Sequence, residues 1–435
     1  MTTAHLSDTI PSTTERQRKM ARRAALGSFL GSAVEYYDFF VYGTASALIL
    51  DKLFFPGADP TAATLASLAT FGAAYVARPL GALLFGHLGD RIGRKNVLIA
   101  TLLIMGAATA AIGILPTYAM TGALAPALLV LCRLLQGISA GGEQVGASLL
   151  TMEHAPKNRR GLYTSWLLNG AAVGSLLATA VFIPLGALPA AQLQAWGWRI
   201  PFLLSFLMVI ATLIVRRGVD ESPELLKSKQ SSKLRTIPIG TVLKTELRAT
   251  VTVFVSAFTI VISTFVIVFG LSYATQVHHV DRAAMLTAIS VSQIVALVFH
   301  PLFGALADRV GFKAIYVVGS ILCAVGVFGF LGAISIGNTV LIVIATLVLK
   351  GVLYAAPNAL WPSFFAQLFT PQVRYTGVGI ATQLSFLLTG FAPTICYALL
   401  GENDNWLLTA AAVALTCVLA ALAAASSKPA RDVAE

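Results

Sequence analysis

The stretch GHLGDRIGRK, Gly86 to Lys95, decides how this chain is read. It follows directly on an apolar run and sets one acid and three bases into ten residues, in a protein whose charged fraction is 11%. A fainter copy, GALADRVGFK, occupies Gly304 to Lys313. Gly86, Asp90, Arg91, Gly93 and Lys95 recur as Gly304, Asp308, Arg309, Gly311 and Lys313, each 218 positions later, half of the 435 residues. The copy lacks the second arginine, with Phe312 opposite Arg94. A duplicated chain with a charged hinge at the same place in each half frames everything else.

The chain is 57% hydrophobic with a mean hydropathy of +0.80. A soluble protein carries roughly 25% charged residues. So much apolar surface cannot be hidden in one soluble core, and lipid must be the solvent for most of it. The apolar runs are continuous rather than alternating, which excludes an outer-membrane barrel. The first 23 residues are polar, so no cleavable signal peptide is expected. Cys132, Cys323, Cys396 and Cys417 fall in apolar runs without CxxC spacing and read as small core residues. No metal or cofactor is expected.

Runs of about 20 residues, enough to cross ~30 Å of hydrocarbon, fall near 25–50, 64–86, 97–116, 123–150, 161–185, 200–215, 249–275, 284–306, 314–335, 338–369, 376–399 and 405–425. The expected fold is an all-α polytopic membrane protein, with twelve transmembrane helices in two pseudo-symmetric six-helix bundles. Residues 1–215 form the first bundle with a cytoplasmic tail, 216–248 a cytoplasmic linker, and 249–435 the second bundle with its tail. With the N-terminus inside, only Lys52, Arg199 and Arg282 fall in outer loops, and Arg78, Arg133 and Lys350 lie within spans. The other basic residues are all cytoplasmic, so both termini are placed there. The net charge of +11 thus reflects topology and contact with anionic lipid, not nucleic acid.

In the hinge, the glycines allow a tight turn and Asp90 accepts hydrogen bonds at a helix terminus or pairs with a neighbouring arginine. Arg91, Arg94 and Lys95 face the inner headgroups. The stretch either anchors topology or, as its duplication favours, works as a latch formed in one state of a rocking transporter and broken in the other. Glu35 and Asp38, three apart in the first span, fall near mid-bilayer, where carboxylates are costly unless paired or protonated. They are either structural partners of an arginine or proton carriers. Arg133, in the fourth span, reaches the same depth and is followed by Gln136, the Gly137–Gly141 small-residue seam and Glu143. Lys350 lies 217 residues after Arg133, so the two are near pseudo-equivalents facing a midplane site, where two cations suit a carboxylate. Arg78 either pairs with Glu35 or Asp38 or binds an anion. His300 reads as a packed residue beside Pro301 rather than a relay. Ser263, Thr264, Tyr273, Gln293 and Asn169 are candidate cavity-lining side chains. Tyr36, Tyr37, Tyr42, Asn358 and Trp361 are candidate substrate contacts, whereas Trp196 and Trp198 read as an interface belt.

The hinge pattern, its copy and the 6+6 layout resemble the major facilitator superfamily. GSFLGSAVEYYDFFVYG (27–43), TLASLATFGAAYVARPLGALLFGHLGDRIGRK (64–95), RLLQGISAGGE (133–143), EHAPKNRRG (153–161), WGWRIPF (196–202) and VRYTG (373–377) are similar to its metabolite:proton symporter branch. One motif departs: GGEQVGA (Gly141–Ala147) stands where the branch usually shows GGEWGGA. The resemblance implies proton coupling, a monomer by default, and a role for Arg133 and Gln136 in proton transfer or substrate contact. Its substrates include di- and tricarboxylates, shikimate-like acids, proline and betaine.

The leading expectation is a secondary importer of an organic acid by proton symport through alternating access. Glu35, Asp38 and Arg133 are the coupling candidates. Tyr36, Arg78, Arg133, Gln136, Asn169, Lys350 and Asn358 are the binding candidates. Gly86, Asp90, Arg91, Gly93, Arg94, Glu143, Asp308 and Arg309 are the gating candidates. Uptake of zwitterionic osmolytes and drug export by antiport are the alternatives, the first weakened by the short stretch after Ala425. No nucleophile, metal or nucleotide motif points to an enzyme.

Overall fold

A computed structural model of the chain describes residues 13–56, 60–186, 188–222, 242, 245–371, 373–401 and 404–430. The expected linker falls largely outside these, as do residues 1–12 and 431–435 of the expected tails. The first half comprises α1 (Thr13–Ala45), α2 (Pro60–Ile92), α3 (Arg94–Ile114), α4 (Leu124–His154), α5 (Arg160–Gly186) and α6 (Arg199–Arg217). The second comprises α7 (Leu247–Thr275), α8 (Arg282–Val310), α9 (Phe312–Ile336), α10 (Thr339–Ala366), α11 (Arg374–Leu400) and α12 (Trp406–Ser426). Helices α3 to α12 are long and apolar enough to cross a bilayer on length and hydropathy alone. Their outward faces carry exposed Leu103, Leu131, Leu207, Ile214, Val298, Val325 and Leu422, which lipid solvates.

Small residues let the helices approach within each half, as packing in lipid requires. Gly137 and Gly141 of α4 lie against the backbone of Ala74 and Arg78 in α2, and Gly170 and Gly174 of α5 against the Phe29 and Ala33 carbonyls of α1. The halves meet along two seams, α2 with α11 and α5 with α8. One apolar cluster is shared between them: Phe85, Leu98, Val145 and Leu149 pack with Trp361, Phe364, Phe365 and Tyr375. It sits toward the end of the molecule that carries both hinge stretches. Toward the opposite end each half keeps its own core, around Tyr37, Phe54, Trp198 and Phe202 in the first and Phe269, Tyr273 and Phe330 in the second.

Several expectations are corrected. The hinge is not a ten-residue loop: α2 stays helical through Ile92, α3 begins at Arg94, and the turn is made at Gly93 with φ 126°. Gly311 does the same between α8 and α9 with φ 107°. Both angles lie where a β-carbon is disfavoured. Gly86 and Gly304 are inside helices and serve close approach instead of turning. A Cβ on Gly86 would stand 3.0 Å from the Thr376 Cα of α11, and one on Gly304 2.5 Å from the Gly161 carbonyl oxygen of α5. At the N-terminus, the polar residues from Thr13 extend α1 rather than forming a tail. Arg216, assigned above to the linker, is buried in the last turn of α6. Trp196 is exposed as a belt residue should be, but Trp198 is fully buried against Phe54 and Phe202. Its neighbour Arg199 donates to the Gly113 and Leu115 carbonyls at 2.9 and 2.8 Å, serving orphan acceptors at the end of α3.

Candidate functional site

At the hinge end, each copy fastens its half to a helix start in the other. The first turn of a helix exposes backbone N–H groups with no intrahelical partner and the positive end of the helix dipole. Asp90 takes such a group on α11, accepting from the Thr376 N–H at 3.1 Å and its hydroxyl at 2.9 Å. Asp308 takes two on α5, from Gly161 at 2.8 Å and Leu162 at 2.9 Å. Around Asp90 the charges are buried and balanced. Arg94, expected to face the inner headgroups, is instead fully buried in an ion pair with Glu153; Arg374 of the second half reaches the same carboxylate at 3.3 Å, and the Tyr375 hydroxyl donates to the Gly142 carbonyl at 2.5 Å. Glu221, at the start of the linker, accepts from the Arg94 N–H at 2.9 Å. Around Asp308 no buried ion pair is formed among the described residues; Arg159 acts on it through its charge, and the Thr164 and Ser363 hydroxyls are 2.7 Å apart. Arg91 and Arg309 point to solvent.

Glu143 does not join the halves. It pairs with Arg216 and accepts from the Thr101 hydroxyl at 2.8 Å, tying α4 to α6 and α3 within the first half. No carboxylate motif marked Arg216; its signal was an arginine at the end of an apolar run opposite a buried Glu.

Mid-membrane, the two acids of α1 face different neighbours. Glu35 pairs with Arg78 of α2, and the Arg78 guanidinium carbon lies 5.7 Å from the Phe386 ring of α11, in the other half. Asp38 points into its own half, accepting from Ser205 at 2.5 Å and Thr109 at 2.7 Å. Thr109 in turn accepts from Gln136 at 2.7 Å, and Gln136 from Arg133 at 2.6 Å, so a buried chain links Asp38 to Arg133. Arg133 is fully buried with its guanidinium carbon 4.0 Å over Tyr42 and 5.0 Å over Phe39. It therefore packs inside the first half, contrary to the expected cavity-facing pair with Lys350.

Lys350 lies in a π-helical stretch of α10, Leu347–Leu353, a distortion common at functional sites. Its ammonium donates to the Ser263 hydroxyl at 3.1 Å and stands 4.9 Å from the Tyr354 ring, with no carboxylate at ion-pair distance among the described residues. His300 joins α8 to both neighbours: Nδ1 is 3.0 Å from Asn169 Oδ1 of α5, and Nε2 3.2 Å from Asn358 Nδ2 of α10. The signal for this bridge was Pro301. Proline has no N–H to give the Leu297 carbonyl four residues back, and Asn169 Nδ2 from the other half fills that acceptor at 3.1 Å.

Other candidates are displaced. Tyr36 is half-buried and receives Gln144 Nε2 at 3.3 Å. Tyr37 is buried and bonded to the Pro201 carbonyl, and Tyr42 is bonded to Thr70. Trp361 belongs to the shared core and Tyr273 reaches Asp404 at 2.8 Å, away from the midplane. Thr264 bonds the Thr389 carbonyl, whereas Gln293 meets Ser175 across the seam at 3.4 Å. The hydrogen bonds between the halves named above run from the hinge end to that level.

The sequence matches the Major Facilitator Superfamily over residues 28–393 and again over 253–434. The chain belongs to the Major Facilitator Superfamily. It is 36% identical to the shikimate transporter of Escherichia coli strain K12 over 410 residues, 93% of this chain and 94% of that protein. It is 32% identical to the proline/betaine transporter of the same organism over 407 residues, 89% of this chain and 80% of that one. The proton:xylose symporter XylE bound to 6-bromo-6-deoxy-D-glucose has the same fold, with a TM-score of 0.77 at 18% identity over 93% of this chain and 95% of that one. Membership in this superfamily makes the chain a multi-pass membrane transporter, not an enzyme.

Proposed function

We propose that this superfamily member imports a small organic acid together with protons by alternating access. The observation that carries the reading is the buried Glu35–Arg78 pair, set where α2 meets Phe386 of the opposite half. A proton taken up by Glu35 cancels its charge and releases the Arg78 guanidinium, which then receives a carboxylate from the cargo. Proton and substrate are thereby required together, and the pair reforms when both leave. Lys350, whose hydrogen bond goes to a neutral hydroxyl, supplies a second cation from the second half. The Asp38–Thr109–Gln136–Arg133 chain supports the coupling side as a hydrogen-bonded store for a proton behind the site.

The excess of Lys and Arg on one side supports cytoplasmic termini in a bacterial inner membrane. On that reading the sealed hinge end is cytoplasmic and the site is approached from outside. The reciprocal helix-start contacts of Asp90 and Asp308 are the bonds that must break for release inward. Proteoliposome uptake with imposed pH gradients tests the reading. Glu35→Gln should lose at least about tenfold of proton-driven accumulation while retaining substrate counterflow; equal loss of both removes the coupling role. Lys350→Ala should raise the KM for a carboxylate substrate by about tenfold or more, and an unchanged KM removes the second cation from the site.

A further inference from the structure

Helix α11 runs antiparallel to α2 along the seam. Thr376 lies at Gly86, a Cβ on Gly379 would stand 3.4 Å from the Ala82 Cβ, and the Phe386 ring reaches Arg78. Gln383, four residues after Gly379 and three before Phe386, falls on the same face of α11, between the levels of Ala82 and Arg78. It is fully buried, and neither its Oε1 nor its Nε2 has a hydrogen-bond partner among the described residues. Gln144 approaches from α4, three residues after Gly141, where that helix touches the Arg78 and Ala82 backbone. Its Nε2 is spent on the Tyr36 hydroxyl, while its buried Oε1 has no partner. Arg78 Nε and Glu35 Oε2, at the same place, are also without partners. Buried polar atoms are otherwise nearly always bonded, and each stranded one is costly. Two stranded amides, one from each half, at the proposed carboxylate-binding arginine therefore point to a ligand.

We propose that Gln383 and Gln144 are the hydroxyl-recognising pair of the substrate site, and that the cargo is a hydroxylated carboxylate. The proposal rests on the organic-acid reading above. The chemistry follows from what each amide leaves open. Gln383 offers an acceptor and a donor, and Gln144 an acceptor alone. One hydroxyl accepts from the Gln383 amide N–H and donates to one of the two open acceptors, and a second hydroxyl donates to the other. A carboxylate satisfies only the donor of Gln383 and leaves two acceptors stranded, and a quaternary ammonium satisfies neither. The carboxylate of the cargo is left for Arg78 and Lys350.

The test uses the purified full chain in proteoliposomes, with matched substrates that differ by hydroxyls: shikimate against cyclohex-1-enecarboxylate, citrate against tricarballylate, malate against succinate, and glycine betaine as the zwitterion. In the wild type, the hydroxylated member of the transported pair should compete at least about tenfold more strongly than its bare counterpart. Gln383→Leu and Gln144→Leu should each raise its KM by about ten- to a hundredfold and shrink that gap. Ligand-free Gln383→Leu should melt no lower than wild type, because the variant removes a stranded amide, while the upward shift on adding substrate is lost. Should a leucine variant fail to insert, Gln383→Asn, polar but too short to reach, takes its place with the same expected KM increase. No preference for hydroxyls in any transported pair, or a KM within twofold of wild type in the position-383 variant, overturns the pair. Transport of no carboxylate at all overturns the organic-acid reading itself, and is a separate outcome.

Discussion

The two hinge copies, Gly86–Lys95 and Gly304–Lys313, hold the same kind of bond on opposite seams with different surroundings. Each aspartate accepts from the first turn of a helix in the other half. Asp90 is fully buried within a set of two acids and two bases: itself, Glu153, Arg94 and Arg374. Asp308 is half-buried and makes two backbone bonds, and the position of Arg94 is taken by Phe312. The first contact thus sits in a balanced set of buried charges, whereas the second rests mainly on backbone hydrogen bonds and close backbone approach, with the charge of Arg159 nearby. A charge lost from a buried balanced set leaves its partner uncompensated, which costs far more than a lost hydrogen bond.

That difference can be broken or sharpened by substitution. The largest effect is expected for Asp90→Asn, which leaves one buried cation in excess. A penalty of about 3–5 kcal/mol to the closed hinge end should cut uptake by more than about tenfold and raise cysteine-reagent accessibility there. Asp308→Asn keeps one acceptor and should cost about 1–2 kcal/mol; an Asp308→Asn defect larger than that of Asp90→Asn would mean that charge balance does not rank the latches. The order should invert for the glycines. Gly304→Ala meets a carbonyl oxygen of another backbone at 2.5 Å, whereas Gly86→Ala meets Thr376 at 3.0 Å. Gly304→Ala should therefore open the hinge end more than Gly86→Ala, measured by the same accessibility assay. The smallest effect is expected from Arg91→Ala and Arg309→Ala, both exposed, with uptake within about twofold of wild type.

Fold and latch were legible to different depths. Asp90 and Asp308 stand out as gating candidates from the repeat, because a duplicated charged motif at helix ends survives in local sequence. For Asp90, accepting at a helix terminus stood beside pairing with a neighbouring arginine; that the terminus belongs to the other half, and that Asp308 does the same, was not legible. The pairing of Glu35 with Arg78 stood among the alternatives, while the separation of Asp38 from Glu35 did not. His300 was read as a packed, hydrogen-bonded residue, and its bridge between the halves was missed although Pro301 advertised a free carbonyl. Arg133 and Lys350 show the limit of the repeat: they match in position, but one turns into its own half and the other lies in a distorted stretch of α10.

The sequence by itself determined the solvent, the helices and the duplication. Hydropathy, run length and the spacing of repeated motifs are properties of neighbouring residues, and lipid leaves the backbone little alternative to a helix. Tertiary structure decided which partner each buried polar group takes. Those partners lie up to 286 residues apart, as between Asp90 and Thr376. They meet through glycine-permitted helix crossings, such as Gly86 at Thr376 and Gly304 at Gly161, that no local pattern specifies. Whether a charge is a latch, a buried pair or a substrate contact depends on those crossings, because in a medium without water a polar group is defined by what stands within 3 Å of it.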